Sequence, residues 1–174
     1  MKTNKLISLA LLSAISIILT RFLSFYVLDN TVRLGFGHIP ILLAGILFGP
    51  LSGALAGAVS DLLGILIMPS YGFFPGFTVA SILTGMIPGL LVKIFEKRRL
   101  MGFGGVLGIV YITEFFSSIL ITTLAVSMYY GAPLEIIIIP RSITTLIMSM
   151  VYSIIIAVLY KQLVRQEFIN RMRK

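Results

Sequence analysis

Asp61, Glu114 and Arg141 are ionisable residues embedded in, or beginning, long apolar runs, where a charge is expensive and therefore informative. Asp61 lies about eleven residues into the run that starts at Pro50, near mid-membrane. Its carboxyl either bonds to a neighbouring helix or faces a ligand as an acceptor for amine or ring N–H donors. Glu114 sits at similar depth in a later run and has the same two roles open to it. Arg141 follows Pro140 at the start of the last apolar run. Its guanidinium fork suits a carboxylate, helped by the partial positive charge of a helix N-terminus, unless it simply snorkels to the interface. Arg21 and Arg33 flank the segment RFLSFYVLDNTVR; they either pair with Asp29 or form a cationic entrance for an anionic solute. His38 is the only histidine, which excludes a multi-histidine metal site and leaves a structural hydrogen bond or a ligand contact. Tyr71, Phe73, Phe74 and Phe77 cluster in MPSYGFFPGFT. They form either an interfacial aromatic belt or, with Gly72 and Gly76 as hinges, a lid that stacks on a flat ring.

Transmembrane helices must position these groups. Of the 174 residues, 58% are hydrophobic and 11% charged, with a mean hydropathy of +1.07. At about 20 residues per span there is room for roughly five to seven crossings. The apolar runs place helices at about 6–20, 34–48, 50–67, 78–95, 103–129 and 141–163, as one all-α, polytopic membrane domain over 1–174. The first run has a basic start but no small-residue cleavage site after it, so it reads as a retained helix. Its Ala10 and Ala14, four apart, form a small-xxx-small face. Segment 21–33 reads as an outer loop. Gly49-Pro50 breaks the run from Arg33 to Gly64 into a tight helical hairpin, with Pro50 opening the second helix. The tip, FGPLSG, is apolar, which points to a protein partner at the membrane surface. Gly53, Gly57, Ser60 and Gly64 then mark a seam for close helix packing.

The formal net charge of +8 is confined enough to exclude nucleic acid as its target. Lys2 and Lys5, then Lys93, Lys97, Arg98 and Arg99, then Lys161, Arg165, Arg171, Arg173 and Lys174 hold most of it. Under the positive-inside rule these are cytoplasmic, with both termini inside a cell-membrane protein and anionic lipids as their partner. The chain has no cysteine, and no G-x-x-x-x-G-K-[ST] phosphate loop. It reads as a binding protein for a small, anionic, aromatic solute rather than as an enzyme, with no catalytic residues and no cofactor.

GHIPILLAGILFGPLSGALAGAVSDLLG resembles the substrate-binding S components of energy-coupling factor (ECF) vitamin transporters. FFPGFT, the Gly-rich helix behind it and the late Pro140-Arg141 are similar to the folate-specific group of that family. The resemblance implies a six-helix protein that binds folate from outside and works with a membrane coupling protein (EcfT) and two ATPase subunits. It implies docking through Ala10 and Ala14, and it fits the uncharged Gly49-Pro50 tip to the same surface. The pterin ring, flat and rich in N–H donors, then suits Asp61 or Glu114 and the aromatic cluster. The glutamate carboxylates suit Arg141, Arg21 or Arg33. Other readings are an S component for pantothenate, a pyridoxine-like compound or a thiamin precursor, a membrane assembly protein, and a proton-coupled secondary transporter.

Overall fold

The structure, a computed structural model, describes residues 3–27, 32–68, 73–95 and 102–165. Helix α1 (Thr3–Arg21) leads into an antiparallel hairpin, β1 (Ser24–Val27) and β2 (Val32–Gly35). Its register sets Ser24 opposite Gly35 and Val27 opposite Val32. There follow α2 (His38–Phe48), α3 (Pro50–Ile67), α4 (Pro75–Ile94), α5 (Phe103–Tyr130) and α6 (Leu134–Arg165). The six helices agree with the sequence reading, but several of its boundaries need correction. The segment expected as an outer loop carries strands. Helix α2 starts four residues later than expected, at His38, because Val32–Gly35 pair with β1. Helix α4 starts at Pro75, whose fixed φ suits the first turn. Helix α6 starts at Leu134, so Arg141 lies inside it, and the helix N-terminus no longer supplies a partial charge beside that residue.

Five of the described helices are long and apolar enough to cross a membrane; α2, with eleven residues, is not. At 1.5 Å per residue it is about 16 Å long, half a hydrocarbon core. A helix that is apolar all round belongs inside a bundle, and every residue from Ile39 to Leu47 is buried. The hairpin extends the chain beyond its start. Packed on α2 are Val106 and Val110 of α5 and Tyr152, Ile156 and Tyr160 of α6, which complete the core. Outside, the polarity inverts. Leu51, Leu66, Ile136 and Ile139 are exposed, while Ser13, Ser16, Ser52, Ser60, Thr84, Thr113, Ser149 and Ser153 are buried. Lipid solvates the first group, and helix carbonyls take up most of the second.

Gly49 turns α2 into α3 with φ 91° and ψ 174°, a conformation that side chains disfavour, and its N–H donates to the Gly45 carbonyl. Lys5 donates to the Phe48 carbonyl at 3.0 Å, giving a cation to the C-terminus of α2 and tying α1 to the hairpin tip. The α3 seam divides between two neighbours. A methyl group on Gly53 would strike the Gly85 carbonyl, and one on Gly57 the Ser81 carbonyl, so α3 and α4 touch backbone to backbone. Ser60 donates to the Ser13 carbonyl of α1, and Gly64 lies beneath the Arg21 guanidinium.

Candidate ligand-binding site

The ends of the helices away from Gly49-Pro50 enclose an open-mouthed cavity of about 180 Å³. Every described helix contributes. Ser16, Thr20 and Arg21 come from α1, His38 and Ile41 from α2, and Ser60, Asp61 and Ile65 from α3. Phe77, Ala80, Ser81 and Thr84 come from α4, Ser118, Thr122, Val126 and Tyr130 from α5, and Arg141 and Tyr152 from α6. A smaller recess of about 40 Å³ adjoins it and shares His38, Ser118, Arg141 and Tyr152; Glu114, Thr144 and Thr145 also line it.

Two hydrogen bonds organise the acids. Thr78 Oγ1 donates to Asp61 Oδ2 at 2.7 Å, joining α4 to α3. His38 Nδ1 lies 2.7 Å from Glu114 Oε1, joining α2 to α5. Glu114 is only 3% exposed and also interacts electrostatically with Arg141, which is 8% exposed. A carboxylate this deep needs such neighbours to offset its lost hydration. The His38 and Tyr152 rings stand 6.1 Å apart, and the Tyr152 hydroxyl donates to the Gly35 carbonyl at 2.5 Å. Ser16 Oγ donates to the Gly37 carbonyl at 2.8 Å. The turn that opens α2 is thereby held from both α1 and α6.

Aromatic rings form one wall. Phe74, Phe77 and Tyr129 pack with centroids 5.6–6.2 Å apart, and Tyr130 meets Tyr129 at 4.9 Å. Phe77 and Tyr130 face the cavity; Phe74 stands behind Phe77. Gly76 makes this closeness possible, since a methyl group there would press on the Phe74 ring and on Ala125. Helix α5, which brings Tyr129 and Tyr130 to this wall, is π-helical from Phe115 to Thr122. Thr122 Oγ1 donates to the Ser117 carbonyl at 2.8 Å and Thr123 Oγ1 to the Ser118 carbonyl at 3.2 Å. The widened turn presents Ser118 and Thr122 to the cavity, and such insertions gather at functional sites.

The chain matches, over residues 1–165, the family described as ECF-type riboflavin transporter, S component. The "Folate transporter FolT" of Clostridium novyi (strain NT) is 31% identical over 176 residues, covering 99% of this chain and 97% of that protein. The chain belongs to the S components of ECF-type transporters. Its fold is similar to that of a FolT crystallised with folic acid, at a TM-score of 0.76 and 29% identity over 88% of this chain and 90% of that one. It is also similar to the S component of a bacterial ECF transporter, at a TM-score of 0.69 and 28% identity, covering 95% and 98% of the two chains. As an S component it is a multi-pass membrane subunit of a transporter and not an enzyme.

Within this S component, the residues singled out from sequence separate. Arg21, His38, Asp61, Phe77 and Arg141 line one cavity. Glu114 lines the adjoining recess, and Phe74 lies one ring back. Arg33 stands in β2 with its side chain outside the described residues, and Tyr71 lies outside them altogether. Ala10 and Ala14 are exposed on α1, and Gly49 and Pro50 are half-buried at the other end of the bundle. Sequence reasoning missed Thr78, Tyr130, Tyr152 and the hydroxyls of α5. The one signal for the hydroxyls was the density of Ser and Thr in otherwise apolar helices, which also marks ordinary helix packing; the two tyrosines had none.

Proposed function

We propose that this S component captures folate from outside the cell for ATP-driven uptake by a membrane coupling protein and two ATPase subunits. The observation that carries the reading is the cavity at one end of the bundle, where a carboxylate acceptor, an aromatic wall and two arginines converge. Asp61 offers an acceptor to the N–H groups of a pterin, Phe77 and Tyr130 offer faces for its ring, and Arg21 and Arg141 offer charge to the glutamate carboxylates. The full-length relative and one fold neighbour are folate proteins by name. The matching family is described by riboflavin, whose isoalloxazine and ribityl groups carry no carboxylate. Two arginines in the cavity favour the carboxylate-bearing vitamin.

The positive-inside rule orients the chain with both termini and the Gly49-Pro50 tip in the cytoplasm, so the cavity faces out. The exposed Ala10 and Ala14, together with the apolar tip, then form the docking surface for the coupling protein. Mass spectrometry of protein purified without added vitamin tests the substrate directly. Bound folate, with folate outcompeting riboflavin in titrations, is the expected result. Bound riboflavin, or a preference for it, would overturn the folate reading.

A further inference from the structure

A lysine near the membrane edge ordinarily extends its ammonium towards headgroups and water. Lys5 does the opposite. Its neighbours Asn4, Leu6 and Ile7 are exposed, but Lys5 is half-buried and donates to the Phe48 carbonyl at 3.0 Å. The ammonium also stands 6.0 Å from the centre of the Phe48 ring. Helix α2 ends at Phe48, and Gly49 turns the chain out of the helical ladder. The Phe48 carbonyl is thus one of the acceptors that a helix C-terminus leaves over, and a cation suits it. The Phe48 side chain packs on the cluster of Leu9, Ala44 and Ala56, so α1 meets the tip through charge and apolar contact together. Farther out, Ser13 donates to the Ala56 carbonyl at 3.4 Å and Ser16 to the Gly37 carbonyl at 2.8 Å. Lys5, Leu9, Ser13 and Ser16 follow one another along the inner side of α1. Ala10 and Ala14 are exposed between the Lys5 tie and the Ser16 tie. Pinning a helix at both ends of its inner side also sets where its outer side points.

We propose that Lys5 is a positioning residue for energy coupling. By capping α2 at Phe48 it fixes the angle at which α1 leaves the hairpin tip, so that Ala10, Ala14 and the tip meet the coupling protein as one preorganised surface. The assignment rests on the docking reading above and adds to it the side chain that builds the surface. A surface ordered before the partner arrives loses less freedom on association, and an α1 released from the tip would have to be ordered again at each encounter. Lys5 itself faces the bundle, so its effect on the partner runs through the placement of α1.

Folate titration of the purified full chain, paired with ATP-driven uptake in cells that supply the coupling protein and ATPases, tests this. Lys5→Met keeps the length and apolar stem of the side chain but removes the donor. Its folate affinity should stay within about twofold of wild type, because the cavity lies at the far end of the bundle. Uptake should fall by about tenfold, the size of one hydrogen bond from a charged donor. Lys5→Arg keeps a cationic donor for the carbonyl and should transport close to wild type. Asn4→Lys combined with Lys5→Met returns the positive charge one residue away, on an exposed side of α1 that does not face Phe48. That variant should remain as impaired as Lys5→Met alone. Recovery of uptake in it would overturn the assignment, because charge for membrane orientation or lipid contact would then suffice. Normal uptake by Lys5→Met, loss of its folate affinity, or an arginine variant as impaired as the methionine one would overturn it too. Replacing Ala10 and Ala14 with Trp separates this from the docking reading. If that replacement blocks uptake while Lys5→Met transports normally, the role of Lys5 alone falls; if that replacement transports normally, the docking reading falls with it.

Discussion

Glu114 has two partners, His38 by hydrogen bond and Arg141 by charge, and the cost of a buried carboxylate makes them interdependent. Glu114→Ala should strip both at once and cost about 3 kcal/mol or more, because breaking a buried ionic arrangement leaves a charge uncompensated. Thermal unfolding in detergent measures this, and the double variant with Arg141→Met should be less destabilised than the two single losses summed. Strict additivity would mean that Glu114 and Arg141 do not support one another. Asp61 makes the contrasting case. It is half-buried, with one oxygen taken by Thr78. Asp61→Asn should leave the melting temperature nearly unchanged and weaken folate by about tenfold, since an amide is a poorer acceptor for ring N–H donors than a carboxylate. A full loss of stability with unchanged folate affinity would place Asp61 among the packing contacts. The acids were legible in the sequence because ionisable groups stand out against apolar runs. Their partners were not, because Thr78 is 17 residues from Asp61 and His38 is 76 from Glu114. Pairings over such distances follow from helix packing, which one sequence does not display. One of the arguments that singled out Arg141 fails: its helix begins at Leu134, not at Pro140, so no helix N-terminus stands beside it.

The elements were readable wherever apolar length and Gly-Pro punctuation coincide. The α2–α3 turn falls at Gly49-Pro50, where a positive φ and an N1 proline leave little freedom. Boundaries drifted where tertiary context takes over. Pro140 looks like a helix start, yet α6 runs through it, and Thr144 Oγ1 donates to the carbonyls of Pro140 and Arg141 at 2.9 and 3.0 Å. These bonds lie in the turn after the proline; the carbonyl that Pro140 leaves without its N–H partner is that of Ile136, four residues back. The π-helical stretch of α5 had no signal beyond its Ser and Thr content, because α and π turns share the same composition. The glycine seam, by contrast, gives a sharp element-scale test. Gly53 and Gly85 face one another with each backbone in the space of the other's missing side chain. Gly53→Leu should therefore force α3 from α4 and cost about 3 kcal/mol or more, beyond ordinary overpacking, since backbone rather than a movable side chain opposes it. The purified variant should aggregate or melt well below wild type. Gly104→Leu, at an exposed position with no atom within 4 Å of an added methyl, should melt close to wild type and serves as the control.

At the scale of the whole molecule, binding and energy coupling are expected at different surfaces, and substitutions should separate them. The cavity draws on the far ends of all six helices, whereas Ala10 and Ala14 lie on the outer face of α1. Helix α1 buries Leu9, Ser13, Ser16 and Ile17 against the bundle, and 10 and 14 fall one residue round from 9 and 13, facing away. An alanine pair there offers lipid little and a partner helix much, because small residues admit close backbone approach. Replacing both with Trp fills that approach without touching the cavity, and Trp is tolerated against lipid. Folate affinity of the purified double variant should stay within about twofold of wild type, while ATP-driven uptake in cells that supply the coupling protein and ATPases should fall by at least about tenfold, a steric block worth more than 1.4 kcal/mol at the interface. Leu66→Trp is the matched control, since Leu66 is 78% exposed on α3 and stands at the cavity end of the bundle. If the alanine variant transports normally, the docking surface lies elsewhere. If it loses folate binding as well, α1 shapes the cavity through more than Ser16, Thr20 and Arg21, and the separation of the two surfaces fails.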